Sequence, residues 1–93
     1  MKNYAVFLEG SNFLLNEQGA EKLHGFFITK RIVASSKNEA GAAAIQAVWR
    51  DPKIAGQESN VPAPHIEVKV VHELPGSNQM KDTGYVLFEM EAE

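Results

Sequence analysis

The most distinctive polar side chains in this sequence are two adjacent cations, Lys30 and Arg31, within an apolar stretch. Residues 26–34 are rich in aromatic and β-branched types, which favour a strand. Two neighbouring charges are costly in a strand that is buried on both faces. We therefore expect a wet face, a bulge that re-aims one side chain, or a bound anion. The sequence predicts Lys30 and Arg31 as binding residues, with pairing to Glu9 or Glu67 as the alternative.

Three histidines are the next candidates for chemistry, namely His24, His65 and His72. Strict alternation along one strand would point His65 and His72 to opposite faces, so they could not share a metal. His65 and Glu67 share a face, but nothing nearby completes a four-ligand shell. We predict no metal and no cofactor, and a structural or solvent-facing role for all three imidazoles.

Catalytic motifs are the third possibility. The serines lie in no Gly-x-Ser-x-Gly elbow, and there is no glycine-rich phosphate loop. The paired carboxylates at Glu67 and Glu73, and at Glu89 and Glu91, fit a solvated strand face. We assign no catalytic residue. An enzyme with an inter-subunit site near Lys30 and Arg31 is kept as an alternative.

Composition limits the class of protein. The chain has 93 residues with 44% hydrophobic and 23% charged residues, which predicts a single α+β domain over residues 1–93. It has no cysteine, which excludes disulfides and thiolate chemistry and fits a cytoplasmic protein. A net charge of −3 gives no general attraction to phosphate backbones, so nucleic acid is not an expected partner. No apolar run approaches the roughly 20 residues of a membrane span.

A helix is predicted directly after the strand that carries Lys30. Ser36 and Glu39 have the spacing of a capping box, and the helix should run to about Arg50, where Asp51-Pro52 ends it. Helical periodicity places small residues on the side that should be buried. These are Ala40, Ala43, Ala44, Ala47 and Val48.

Two large apolar residues, Ile45 and Trp49, lie beside that small-residue side at helical spacing. The following segment, residues 51–63, could fold over them with Ile54 and Val61 as its apolar anchors. Alternatively they form a subunit or partner contact, because Trp is favoured at interface centres. We predict Ile45 and Trp49 as binding residues for a protein partner.

Four strands surround the helix in the sequence. The first run is apolar on both faces and breaks at residues 10–12, and the second forms a hairpin with it. Residues 65–74 alternate cleanly, and the last strand lies within residues 84–90. We predict the order β-β-α-β-β, with a mainly antiparallel sheet and the helix on one face. The apolar residues left on the second face predict a homodimer.

The passage from Val33 to Ala40, Val-Ala-Ser-Ser-Lys-Asn-Glu-Ala, is similar to the strand-to-helix passage of many small α+β proteins, including HicB-type antitoxins. It lacks the Pro-Gly-Cys-like turn of that family. The resemblance implies a regulator that binds a toxin partner and, once assembled, nucleic acid. The reading that we prefer is a non-enzymatic binding or regulatory module, which forms a homodimer and contacts an unidentified protein.

Overall fold

Five elements make up the fold in the computed structural model, which describes residues 1–17, 19–76 and 81–90. The strands form one antiparallel sheet in the order β3-β1-β2-β4, and the helix packs on one face. The predicted α+β class, antiparallel sheet and element order are confirmed. No helix in these residues is long and apolar enough to cross a bilayer. The elements are β1 (Lys2–Glu17), β2 (Ala20–Ala34), α1 (Lys37–Trp49), β3 (His65–Leu74) and β4 (Val86–Glu89).

The break predicted in the first strand is a bulge inside β1. The register with β2 shifts between Gly10 and Phe13, and Asn12 has a φ of 63°. Gly10 pairs with Phe26, whose ring lies against the glycine Cα, so that a Cβ there would stand 2.2 Å from the ring. Phe13 then packs at 5.2 Å from the same ring, and both side chains are fully buried. The bulge therefore brings Gly10 and Phe13 of β1 against the same ring, that of Phe26.

The start of α1 differs from the predicted capping box in one bond. The Ser36 Oγ accepts from the backbone N–H of Glu39 at 3.2 Å, as predicted. The Glu39 carboxylate reaches Ser35 and not Ser36, accepting from its N–H at 3.2 Å and from its hydroxyl. Ser35 offers two donors to one carboxylate, and these two bonds hold the pKa of Glu39 below its usual value.

The buried side of α1 is made of small residues, as expected, but it is rotated toward Gly41. Ala40, Gly41, Ala44 and Val48 are buried, whereas Ala43 is exposed, so its predicted burial is wrong. A Cβ on Gly41 would stand 3.6 Å from a methyl group of Val68 on β3. The bulk of the core comes from the sheet and the segment after the helix.

A second bulge lies in β3 and overturns the predicted alternation. Phe7 pairs with Val70 while Leu8 pairs with Val68, so Lys69 is the extra residue. Before the bulge, Ile66 and Val68 both face α1, in line with the predicted alternation.

Beyond this bulge the faces exchange. Val71 packs against the core under α1, so Val70 and His72 lie on the other side of the sheet. His65 and His72 are therefore on the same face, which corrects the prediction that they point in opposite directions. Seven residues of strand still separate them by about 20 Å.

The sheet face turned away from α1, here called the open face, carries an aromatic row. The Phe7 and Phe27 rings are stacked at 5.6 Å with an interplanar angle of 5°, and Phe27 lies 5.3 Å from Phe88. Phe88 covers Gly25, where a Cβ would stand 2.1 Å from its ring. Valines extend the apolar surface around this row, at Val33, Val70 and Val86.

A Cβ at position 10 should disturb the core. We expect Gly10→Ala to lower the free energy of unfolding by about 1–3 kcal/mol, because the buried Phe26 ring would have to move. Urea unfolding followed through the fluorescence of the single tryptophan measures it. Gly84→Ala is the control, because among the described residues other than its chain neighbours no atom lies within 4 Å of a Cβ there. Equal stability of the two variants would contradict the close packing of Gly10 and Phe26.

Candidate functional site

The two predicted binding cations lie on opposite faces of the sheet, because adjacent strand residues alternate. Lys30 is on the α1 side, where its side chain is 17% exposed and its Nζ lies 3.5 Å from an Asp82 carboxylate oxygen. Arg31 is on the open face and donates to the Asn3 side-chain oxygen at 3.2 Å. The alternative partners Glu9 and Glu67 pair with Lys69 instead. The two cations therefore do not form one anion site within the chain.

Side chains from the segment before β4 complete the edge of β2. Asp82 accepts from the Arg31 backbone N–H at 2.7 Å, and the Thr83 hydroxyl accepts from the Thr29 N–H at 2.9 Å. The Thr83 N–H donates to the Thr29 carbonyl at 3.0 Å. Backbone pairing along this edge of β2 therefore begins at Thr83 and continues into β4.

A polar cluster joins the end of α1 to this edge. The Tyr85 hydroxyl donates to Asp51 Oδ2 at 2.8 Å, and the Lys53 N–H donates to Asp51 Oδ1 at 2.9 Å. Burial raises the pKa of Asp51, but these two bonds and the charges of Lys30 and Lys53 together hold it below its usual value. Burial, and then the bond to Asp51, raise the pKa of Tyr85. Both groups therefore keep their ordinary charge states at neutral pH.

This cluster links the end of α1 to the segment before β4, and the protonation states of its groups do not suit general acid–base catalysis. A general base needs a pKa close to the working pH, whereas the Tyr85 phenol is held protonated and the Asp51 carboxylate is held ionised. The Lys30 ammonium faces the two carboxylates of Asp51 and Asp82. This geometry therefore does not support the alternative of an enzyme site near Lys30.

The other two predicted binding residues, Ile45 and Trp49, are half-buried against the core. The Trp49 ring lies 5.4 Å from Phe13. Ile54 is buried, as expected of an anchor in the segment after α1, whereas Val61 is 95% exposed, so its predicted anchoring is wrong. The four predicted binding residues lie in three different places and form no joint site in the chain.

A cavity of about 570 Å³ lies on the α1 side of the sheet, between the segment after the helix and the far end of the β1–β2 hairpin. Its lining is half polar and half apolar. The residues that line it are Leu14, Leu15, Asn16, Glu21, Lys53, Ile54, Gln57, Asn60, Tyr85 and Leu87.

Gln57 fixes the position of the cavity wall. Its amide pairs with both backbone groups of Leu14, accepting from the N–H at 2.8 Å and donating to the carbonyl at 2.9 Å. It also donates to the Lys53 carbonyl at 3.2 Å and accepts from the Asn60 side chain at 3.4 Å. This residue therefore bonds the edge of β1 beyond Ser11, where the pairing with β3 stops. The sequence gives no signal for it, because a glutamine in a polar segment is unremarkable.

No three histidine, aspartate or glutamate side chains converge on a metal position in the described part of the chain. Comparisons with protein-family models, with curated proteins and with solved structures each find no match. Function must therefore be argued from this geometry.

Alkaline titration tests the polar cluster. Because the Tyr85 pKa is above its ordinary value of 10.0, the folded state keeps a proton that the unfolded chain loses. Its contribution to stability is present below pH 10 and falls as the pH rises above that value. We expect Tyr85→Phe to lose less stability than the wild type between about pH 10 and pH 11.5. Urea unfolding at several pH values measures this difference.

Absorbance near 295 nm gives an independent measure of the same group. The difference between the wild-type and Tyr85→Phe titrations isolates the Tyr85 phenol and should show a midpoint above 10.0. A midpoint at or below that value would contradict the buried bond to Asp51.

Proposed function

We propose that this chain is a small homodimeric binding module, and that a second copy covers the open face. The observation that carries the proposal is the aromatic row of Phe7, Phe27 and Phe88 on the side without a helix. Phe7 is 37% exposed and Val86 is 64% exposed in the single chain. Removing such surface from water stabilises an assembly by about 25 cal/mol per Å².

The sheet edges offer less to a partner than the open face. The outer strand β3 has a bulge at Lys69, and it carries charges at Glu67 and Glu73. Bulges and charged side chains of this kind protect an edge from pairing. The opposite outer strand, β4, has only four residues. Association through the face therefore has more support than extension of the sheet.

Charge on the open face favours a second copy as the occupant. At one end, Ala5 pairs with Arg31 on one side and with His72 on the other. At the other end, Glu9 pairs with Glu67, and Lys69 bridges the two carboxylates at 3.5 and 3.3 Å. One end is thus cationic and the other keeps a net negative charge.

A two-fold axis across the strands at the level of Phe7 brings these unlike ends together. It reverses the strand direction, so that Arg31 lies over Phe27 of the second copy and beside its Glu9. Phe7 then meets its own counterpart at the centre. Arginine stacks favourably on aromatic rings, and every contact off the axis occurs twice, as in any isologous interface.

The proposed interface does not include Ile45 and Trp49. These two side chains are half-buried against the core of their own chain, so they have less surface to offer. Residues 51–60 and the outer side of α1 face away from the proposed interface and remain available to another partner.

Sedimentation at about 10–100 μM tests the assembly. We expect a species of twice the 10.2 kDa chain mass for the wild type, and a monomer for Phe7→Asp, because burying an unpaired carboxylate is costly. Ala42→Asp is the control, because Ala42 is exposed on α1. A wild type that stays at 10.2 kDa throughout this range would remove the proposal.

Charge exchange tests the orientation of the two copies. We expect Arg31→Glu and Glu9→Arg to weaken the dimer separately, each by about tenfold or more, because each brings like charges together. The variant with both changes should recover most of the affinity. Two single changes without effect would leave the dimer in place but rule out the antiparallel arrangement.

A further inference from the structure

We propose that the cavity beside Gln57 binds a small elongated organic anion, with an apolar body and a carboxylate at one end. It lies on the α1 side of the sheet and is not covered by the proposed dimer. Its volume of about 570 Å³ falls within the range of roughly 300–1,000 Å³ that is typical of small-molecule sites.

The apolar part of the site is a floor with one partly exposed wall. Leu15 and Ile54 are buried beneath the cavity. Leu87 lines it as well and remains 37% exposed, whereas Leu14 borders it where its backbone bonds Gln57. Three aliphatic side chains around a concave space give an apolar ligand more contact than a flat surface would.

The frame of the site is set before a ligand arrives. Gln57 makes two hydrogen bonds to the Leu14 backbone, and the Ile54 and Ala55 N–H groups both donate to the Asp51 carbonyl, at 2.9 and 2.8 Å. Ordering a wall on binding costs free energy, and a wall that is already bonded avoids most of that cost.

Lys53 selects an anion at one end of the cavity. Its Nζ lies 5.7 Å from the centre of the Tyr85 ring, and it makes no ion pair in the described part of the chain. The nearby Asp51 carboxylate attracts this ammonium but makes no ion pair with it, and its two oxygens accept from the Tyr85 hydroxyl and the Lys53 backbone N–H. The ammonium therefore remains available for a carboxylate.

The acidic residue in the lining stands at the other end. Glu21 pairs with Asn16 near the hairpin turn, whereas Val86, which follows Tyr85, pairs with Phe27. Six residues of β2 separate these positions, a distance of about 20 Å along the strand. Glu21 and Lys53 make no ion pair in the described part of the chain, so Glu21 does not occupy the ammonium.

Three soluble probes that share one body and differ in the end group test this site. They are 4-phenylbutyrate, 4-phenylbutanol and 4-phenylbutylammonium, each titrated into ¹⁵N-labelled protein and followed by backbone amide shifts. We expect saturable shifts at Leu14, Leu15, Ile54 and Leu87. The carboxylate should bind at least about tenfold more tightly than the ammonium, because only it pairs with Lys53.

Two variants separate the end group from the body. Lys53→Gln should weaken binding of the carboxylate to that of the alcohol and leave the alcohol unchanged, whereas the uncharged polar change Leu87→Gln should weaken all three probes. Lys37→Gln is the matched control, because Lys37 is exposed at the start of α1. Absence of saturable shifts at the cavity would overturn the proposal, as would tighter binding of the ammonium or an unaffected Lys53→Gln.

The monomeric Phe7→Asp variant keeps the two proposals independent. The cavity is built from one chain, so this variant should bind 4-phenylbutyrate with the affinity of the wild type. Loss of binding in a folded Phe7→Asp monomer would overturn a site confined to one chain.

Discussion

The fold depends on two places where a glycine lets an aromatic ring lie directly on the backbone of the neighbouring strand. Gly10 admits Phe26 on the α1 side, and Gly25 admits Phe88 on the open face. A glycine in a strand normally weakens it, because it has no side chain to pack. Here the ring of the paired residue fills that space. Each contact also fixes register, since a slip of one residue would bring a side chain under the ring.

The contact on the α1 side, between Gly10 and Phe26, explains why small residues can line α1. With Phe13 and Phe26 filling the layer above β1 and β2, the helix needs little bulk of its own. Ala40, Gly41 and Ala44 let it approach the sheet closely, and Trp49 closes the end of the layer against Phe13. The large aromatic residues of the sheet and the small residues of α1 therefore complement each other in filling the core.

The parts of this fold that the sequence predicts are those with local causes. The helix start at Ser36 depends on Glu39, three residues away, and the break in β1 is signalled by Gly10-Ser11-Asn12, residue types that favour turns and bulges. The bulge at Lys69 could not be predicted, because alternation in residues 65–74 looks uninterrupted and only pairing with β1 reveals the extra residue. The roles of Gln57 and Asp82 could not be predicted either, because each side chain bonds the backbone of a strand far away in the chain.

The roles of Lys30 and Arg31 likewise depend on the sheet and could not be predicted from their neighbours in the sequence. In the sequence the two charges look like one site, but the pleat of β2 sends them to opposite faces with different partners. Lys30 helps to link α1 to the edge of β2, because it pairs with Asp82 and attracts the charge of Asp51. Arg31 is left on the open face, at the cationic end of a surface whose other end is acidic. An adjacent pair in a strand is thus two separate electrostatic features, and only Arg31 lies on the face that we propose to form the dimer.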